Sequence, residues 1–206
     1  MANTMTRYTI FNTPIISPLL YGVALLILKV SGWRKEGQVP QDPKFVVVGA
    51  PHTSNWDLPL TVILAFAFRK RIFWMGKHSL FCWPFGPFFK WLGGIPVDRS
   101  KGQNAVVQCI RAFKENDEFI LAIAPEGTRT KVKRWKTGFY YIAMGANVPI
   151  LLGSLDYRRK VGAIGPLMTP TGDIEADMKV IREVLATVTP RHPHLVGEVT
   201  VSSQKK

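Results

Sequence analysis

Cysteine is nearly absent from this chain of 206 residues, which holds only Cys82 and Cys109. Their spacing matches neither a metal-binding nor a redox motif. Nothing in the pattern calls for a disulfide, and a reducing compartment is favoured. Carboxylates are also few: 14 Asp and Glu face 27 Lys and Arg, for a formal net charge of +13. Such a surface seeks anions, whether phosphate substrates, an acidic carrier protein, anionic lipid headgroups or nucleic acid. No recognised nucleic-acid motif accompanies the charge. A basic nucleic-acid or anionic-surface binding module is therefore a rival reading that rests on charge alone. Repeats, low-complexity stretches and linkers are missing too, so the length accommodates one substantial domain and not two.

Long apolar runs are likewise absent. From Pro14 to Val30 the chain reads PIISPLLYGVALLILKV, and its uninterrupted apolar part, Pro18 to Leu28, is short for a membrane span. A charged start and an A-x-A-like cleavage site are lacking, so a secretory signal is not expected. Lys29, Arg34 and Lys35 follow the run. An apolar helix ending in basic residues suits the interface of an anionic leaflet, against the plainer reading of a buried helix at the edge of a core and the less favoured one of a single span. Residues 1–36 are accordingly read as a membrane-associating helical segment ahead of a single domain over residues 37–206.

What is present is a series of apolar segments of alternating type. Phe45 to Gly49 reads as a buried strand, and Phe119 to Ala124 as a central one. Further strands are expected at Arg71–Met75, Ile95–Val97, Pro149–Leu155 and Val161–Met168. Helices are expected at Leu58–Phe68, Gln103–Asn116 and Gly138–Gly145, and a last one capped by Asp173 runs to about Thr187. Pro84 to Leu92 is aromatic-rich and broken by Gly86 and Pro87. The alternation predicts an α/β layered domain with a mixed, largely parallel sheet flanked by helices. Sites in such sheets gather beyond strand ends.

Two short runs fall just there. In Pro51-His52-Thr53-Ser54-Asn55-Trp56-Asp57 an imidazole precedes a carboxylate by five positions. His52 suits a general base, and Asp57 can hold its tautomer. On one regular helix the two would lie about 140° apart. The pair works if Asp57 starts a helix and His52 lies in the preceding turn. Pro59 agrees, since proline is tolerated in a first turn. Ser54 is an alternative nucleophile, which would make a lipid esterase, but no G-x-S-x-G elbow surrounds it. The second run is Glu126-Gly127-Thr128-Arg129. Gly127 permits close backbone approach to a ligand, and Arg129 suits phosphate. Glu126 has two candidate roles, holding Arg129 or accepting a substrate hydroxyl. Five of the eight residues from Arg129 to Lys136 are basic, and Arg99 is another phosphate candidate.

Jointly these blocks resemble the glycerophospholipid acyltransferase family, in its 1-acylglycerol-3-phosphate acyltransferase-like group, over about Val46 to Leu155. His52 and Asp57 match its H-x4-D block, and Gly94-Ile95-Pro96-Val97-Asp98-Arg99 its second. Glu126-Gly127-Thr128-Arg129 matches the third, and Val148-Pro149-Ile150 the fourth. Lys77 sits where the family often carries a lysine near the phosphate. The resemblance implies direct O-acyl transfer from acyl-CoA or acyl-carrier protein to a lysophospholipid hydroxyl, with His52 as base and Asp57 orienting it. Arg99, Arg129 and Lys77 or Lys136 would anchor phosphate. No metal, cofactor or covalent intermediate is required. An amino-terminal membrane anchor at the cytoplasmic face, peripheral or monotopic, is implied as well. Pro51 replaces an Asn common in members that use lysophosphatidic acid, and Trp56 is bulky beside Asp57. These departures leave the acceptor open among lysophospholipids.

Overall fold

Segments whose apolar residues point both ways can be buried on both faces, and the run Phe45-Val46-Val47-Val48 is such a segment. It lies near the middle of a seven-stranded sheet in a computed structural model that describes residues 8–97 and 102–197. In chain order the elements are α1 (Ile16–Ser31), β1 (Arg34–Glu36), β2 (Lys44–Gly49), α2 (Asp57–Ala67), β3 (Ile72–Lys77), a 3-10 turn (His78–Phe81) and α3 (Gly86–Trp91). Next come β4 (Gly94–Val97), α4 (Gly102–Glu115), β5 (Phe119–Ile123), α5 (Gly138–Ala146), β6 (Ile150–Asp156), β7 (Val161–Met168) and α6 (Ile174–Leu185). The strand order is β1-β7-β6-β2-β5-β3-β4. Pairings are parallel except β6 with β7, which run antiparallel. The five strands β2 to β6 therefore end at one edge, and the His52 and Glu126 runs both begin there.

The alternation along β2 divides the core. Val46 and Val48 pack with Phe113 of α4, Phe139 and Ile142 of α5, and Met178 and Ile181 of α6. Phe45 and Val47 face the other way, toward Ala65 of α2, Ile72, Ile120 and Leu151. Helix α1 lies outside α2 and buries only Ala24 and Leu28 of its own residues. Asp173 caps α6 as its type predicts, accepting the N–H groups of Glu175 and Ala176 at 3.1 Å each.

Several expectations shift. Strand β3 extends two residues beyond Met75, so Lys77 ends it. The glycine at 76 breaks nothing; a Cβ there would lie 2.8 Å from the Phe81 ring. Strand β1 has no apolar signature, being Arg-Lys-Glu, yet it pairs in parallel with β7. Charge at a sheet edge discourages pairing with another chain. Part of the basic cluster after α1 thus has structural partners. Lys35 Nζ donates to the Ala67 carbonyl at 2.8 Å, and Arg159 pairs with Glu36 at 2.7 Å. No helix among the described residues is long and apolar enough to cross a membrane. The 16 residues of α1 give about 24 Å, against about 30 Å of hydrocarbon.

A polar knot ties α5 to α6. The Tyr140 hydroxyl donates to Asp177 Oδ2 at 2.7 Å, the Thr171 N–H donates to the same oxygen at 2.8 Å, and the Gly172 N–H donates to the Tyr140 oxygen at 2.9 Å. Asp177→Ala takes the acceptor away from the buried Tyr140 hydroxyl and from the Thr171 N–H. It is expected to cost about 2–3 kcal/mol in chemical denaturation. A loss below about 0.5 kcal/mol, the scale of an ordinary surface substitution, would contradict the reading.

Candidate active site

The loop from Ala50 to Trp56 joins β2 to α2 and folds back on the first residue of that helix. Asp57 sits in the first turn, where a negative charge is favoured by the helix dipole. Its carboxylate gathers four donors. Oδ2 accepts the N–H of Thr53 at 3.0 Å and of Ser54 at 2.9 Å, and Nδ1 of His52 at 3.0 Å. Oδ1 accepts the Tyr157 hydroxyl at 2.7 Å. Asp57 is buried, and burial alone would raise its pKa. The bonds from His52, Tyr157 and the Ser54 N–H outweigh that, and the net shift is downward. The carboxylate is therefore ionised where imidazole chemistry operates. The His52 side chain is 22% exposed, enough for a substrate to reach it. With Nδ1 held by Asp57, Nε2 is the nitrogen left to take a proton.

Glu126 does not hold Arg129. It turns inward at the end of β5, and its Oε1 accepts the His52 N–H at 3.0 Å. The other oxygen, Oε2, is buried without a hydrogen-bond partner among the described residues. Burial pushes the Glu126 carboxyl above its ordinary value, and the charge of Asp57 adds to the rise. One carboxylate thus fixes the imidazole of His52 and the other fixes its backbone.

Gly127 turns the chain with φ +65°, and a Cβ there would lie 3.1 Å from Cε of Lys136. The space that glycine leaves is filled by the lysine stem. The Lys136 N–H also donates to the Pro125 carbonyl at 2.9 Å. Thr128, Arg129 and Lys136 are exposed, and so is Lys77 at the end of β3. All four stand at the sheet edge where His52 lies. Arg99 lies outside the described residues. Ser54 is buried, and its Oγ accepts the Trp56 N–H at 3.1 Å. That bond holds the loop and leaves the hydroxyl poorly placed as a nucleophile. Thr53 likewise accepts, through Oγ1, the His192 N–H at 3.2 Å.

Two contributors had no signal in the sequence. Tyr157 lies 100 residues from Asp57 along the chain. It comes from the end of β6, where its own N–H donates to the Thr189 carbonyl at 2.8 Å. Burial and the neighbouring Asp57 charge push its hydroxyl pKa upward, so it stays a donor. Arg191 places its guanidinium 5.9 Å from the Trp56 ring and 5.8 Å from the Tyr157 ring. The segment after α6 thereby braces the loop from outside.

An apolar cavity of about 150 Å3 opens beside the pair. Ala50, Pro51, His52 and Asp57 line one end. From there it runs between α2 and the sheet past Leu64, Leu151 and Ile164 toward Phe45, Phe68 and Ile72. No group of three or more His, Cys, Asp or Glu side chains among the described residues is placed to hold a metal ion. The arrangement combines an oriented base, a greasy slot and a cationic rim.

A family model described as acyltransferase matches residues 33–151, more than half of the chain, including both the His52–Asp57 and the Glu126–Arg129 runs. Among solved structures, the 1-acyl-sn-glycerophosphate (LPA) acyltransferase PlsC from Thermotoga maritima superposes with a TM-score of 0.59. The match covers 83% of this chain and 77% of that one at 21% identity, and it shows a common fold. No curated protein sequence matches the chain.

Glu126 supplies a pH test. Its folded pKa lies above the ordinary 4.5, so the folded state holds the proton more tightly than the unfolded chain does. Stability from this group is present below pH 4.5 and is lost as pH rises through the folded value. Glu126→Gln keeps an oxygen for the His52 N–H but cannot ionise. The difference in Tm, variant minus wild type, should rise between pH 4 and pH 8 in thermal scans. A difference that falls over this range would overturn the assignment.

Proposed function

Because the chain belongs to the acyltransferase family, we propose that it transfers an acyl chain from a thioester, acyl-CoA or acyl-carrier protein, to the hydroxyl of a lysophospholipid-type acceptor. The observation that carries this reading is the His52 imidazole, held through Nδ1 by a buried, ionised Asp57 at the mouth of an apolar cavity. Nε2 takes the acceptor hydroxyl proton as the oxygen attacks the thioester carbonyl. A C–O bond forms, the tetrahedral intermediate collapses, and the C–S bond breaks. The departing thiolate recovers the proton from the imidazolium. Asp57 stabilises that imidazolium, and Tyr157 keeps the second carboxylate oxygen in place. The cavity takes part of an acyl chain.

Phosphate recognition falls to the cations at the rim. Lys77, Arg129 and Lys136 supply it, with Arg99 following β4 in the chain and the backbone of Gly127 and Thr128 close by. Guanidinium groups suit phosphate through paired hydrogen bonds. Glu126 acts through His52, by holding its backbone. The protein works at the cytoplasmic face of a membrane as a peripheral or monotopic enzyme, and α1 lies along an anionic leaflet. In support, α1 leaves Leu19, Leu26 and Val30 exposed and carries no acidic residue in its first turn. An esterase using Ser54 is disfavoured by the burial and bonding of that side chain.

The test is purified protein with acyl-CoA and acyl-carrier protein donors and a panel of lysophospholipids, read by thiol release and product mass. His52→Ala should lower kcat by about 100-fold or more. Asp57→Asn keeps the size and removes the charge, and should lower kcat by at least about 100-fold. Wild-type turnover in His52→Ala would sink the mechanism.

A further inference from the structure

Beyond Lys77 the chain leaves the site, makes the 3-10 turn His78–Phe81 and enters α3. Its apolar side chains split into two sets. Phe81 and Phe89 face inward, with ring centroids 6.0 and 6.3 Å from that of Trp74. Leu80, Trp83, Phe85 and Phe88 face outward and are 42%, 90%, 66% and 51% exposed. A soluble surface rarely displays four large apolar side chains within nine residues. The inner set shows that this segment has a core to pack against, so the outer set is not there for want of one.

The segment is fixed to the start of α1. The Ile10 N–H donates to the Trp91 carbonyl at 2.8 Å, and Trp91 Nε1 donates to Thr13 Oγ1 at 3.0 Å. Trp91 and Leu92 pack with Ile10 and Leu20. Hydrogen bonds and packing therefore join the outward row of α1 to the outward aromatics as one body. Charge has one sign here: residues 8–35 and 58–97 contain no Asp or Glu, while Lys29, Lys77 and Lys90 are exposed.

We infer that the stretch from Leu80 to Phe88 is a second membrane-inserting element, which enters an anionic leaflet together with α1. Aromatic side chains favour the headgroup boundary, and the flanking lysines meet anionic headgroups there. The inference rests on the membrane side of the proposed function and names the surface responsible. It also gives Lys77 a setting, since the residue that ends β3 is the one from which the inserting stretch departs. An acidic carrier protein is the competing occupant. The same lysines suit it, but the continuity of the exposed aromatics with the apolar row of α1 favours lipid.

The chain carries its own probe site. Cys82 is exposed beside Trp83, whereas Cys109 is buried and burial pushes its thiol up to about 11. At neutral pH an environment-sensitive maleimide will take Cys82. The labelled full chain is titrated with phosphatidylglycerol vesicles, phosphatidylcholine vesicles and acyl-carrier protein, with sedimentation in parallel. The expected result is a blue shift and co-sedimentation with phosphatidylglycerol, quenched by brominated acyl chains. The triple variant Trp83→Ser/Phe85→Ser/Phe88→Ser should keep its Tm and its turnover of detergent-dispersed lysolipid, and lose at least about tenfold in vesicle affinity. A silent label on protein that sediments with vesicles would assign docking to α1 alone and overturn the inference. So would failure to sediment, or a label that answers only to the carrier protein. A responding label on protein that acylates no lysolipid would overturn the proposed activity and support this surface.

Discussion

The Asp57 carboxylate is the point on which the site depends. A buried charge is costly unless hydrogen bonds surround it. Here two backbone N–H groups, one imidazole and one phenol surround it. The same four bonds curl the loop after β2, start α2, orient His52 and tie β6 to the site. Removal of the charge would leave the loop N–H groups and Tyr157 facing a weaker acceptor. Geometry and electrostatics at His52 therefore have one source.

Around that centre the fold separates tasks by face and edge. The face under α4, α5 and α6 is filled by large apolar side chains and supplies the rigid core. The face under α2 keeps a cavity that begins at His52. The edge where β2 to β6 end collects the base, its two carboxylate supports and the exposed cations. Glu126 shows how tightly the edge is drawn. Its first oxygen holds the His52 backbone while its second lies buried without a partner among the described residues. Burial raises the carboxyl pKa, against the lowering effect of the His52 N–H.

Much of this was legible in residue order. Phe45-Val46-Val47-Val48 and Phe119 to Ile123 are apolar on both faces, and burial on both faces is what a central parallel strand needs. The site logic was legible too: a helix starting at Asp57 with Pro59 in its first turn brings an i, i+5 pair together, and the structure has that arrangement. Three features were not legible, each for a physical reason. β1 is Arg-Lys-Glu and lacks the apolar pattern of a strand, because its place is set by pairing with β7. Tyr157 meets Asp57 across 100 residues, a distance over which no local periodicity speaks. Glu126 was placed at the correct edge, but the direction of its side chain depends on the turn at Gly127 and on the N–H it finds there.

The central claim concerns one proton: Asp57 holds it on Nδ1 of His52, which leaves Nε2 free to act. Nitrogen NMR of protein labelled at its four histidines reads this tautomer directly, with assignment by His52→Ala. The account predicts that neutral His52 carries its proton on Nδ1, and that Asp57→Asn weakens or reverses this preference. A proton on Nε2 in the wild type, or a tautomer indifferent to Asp57→Asn, would contradict it.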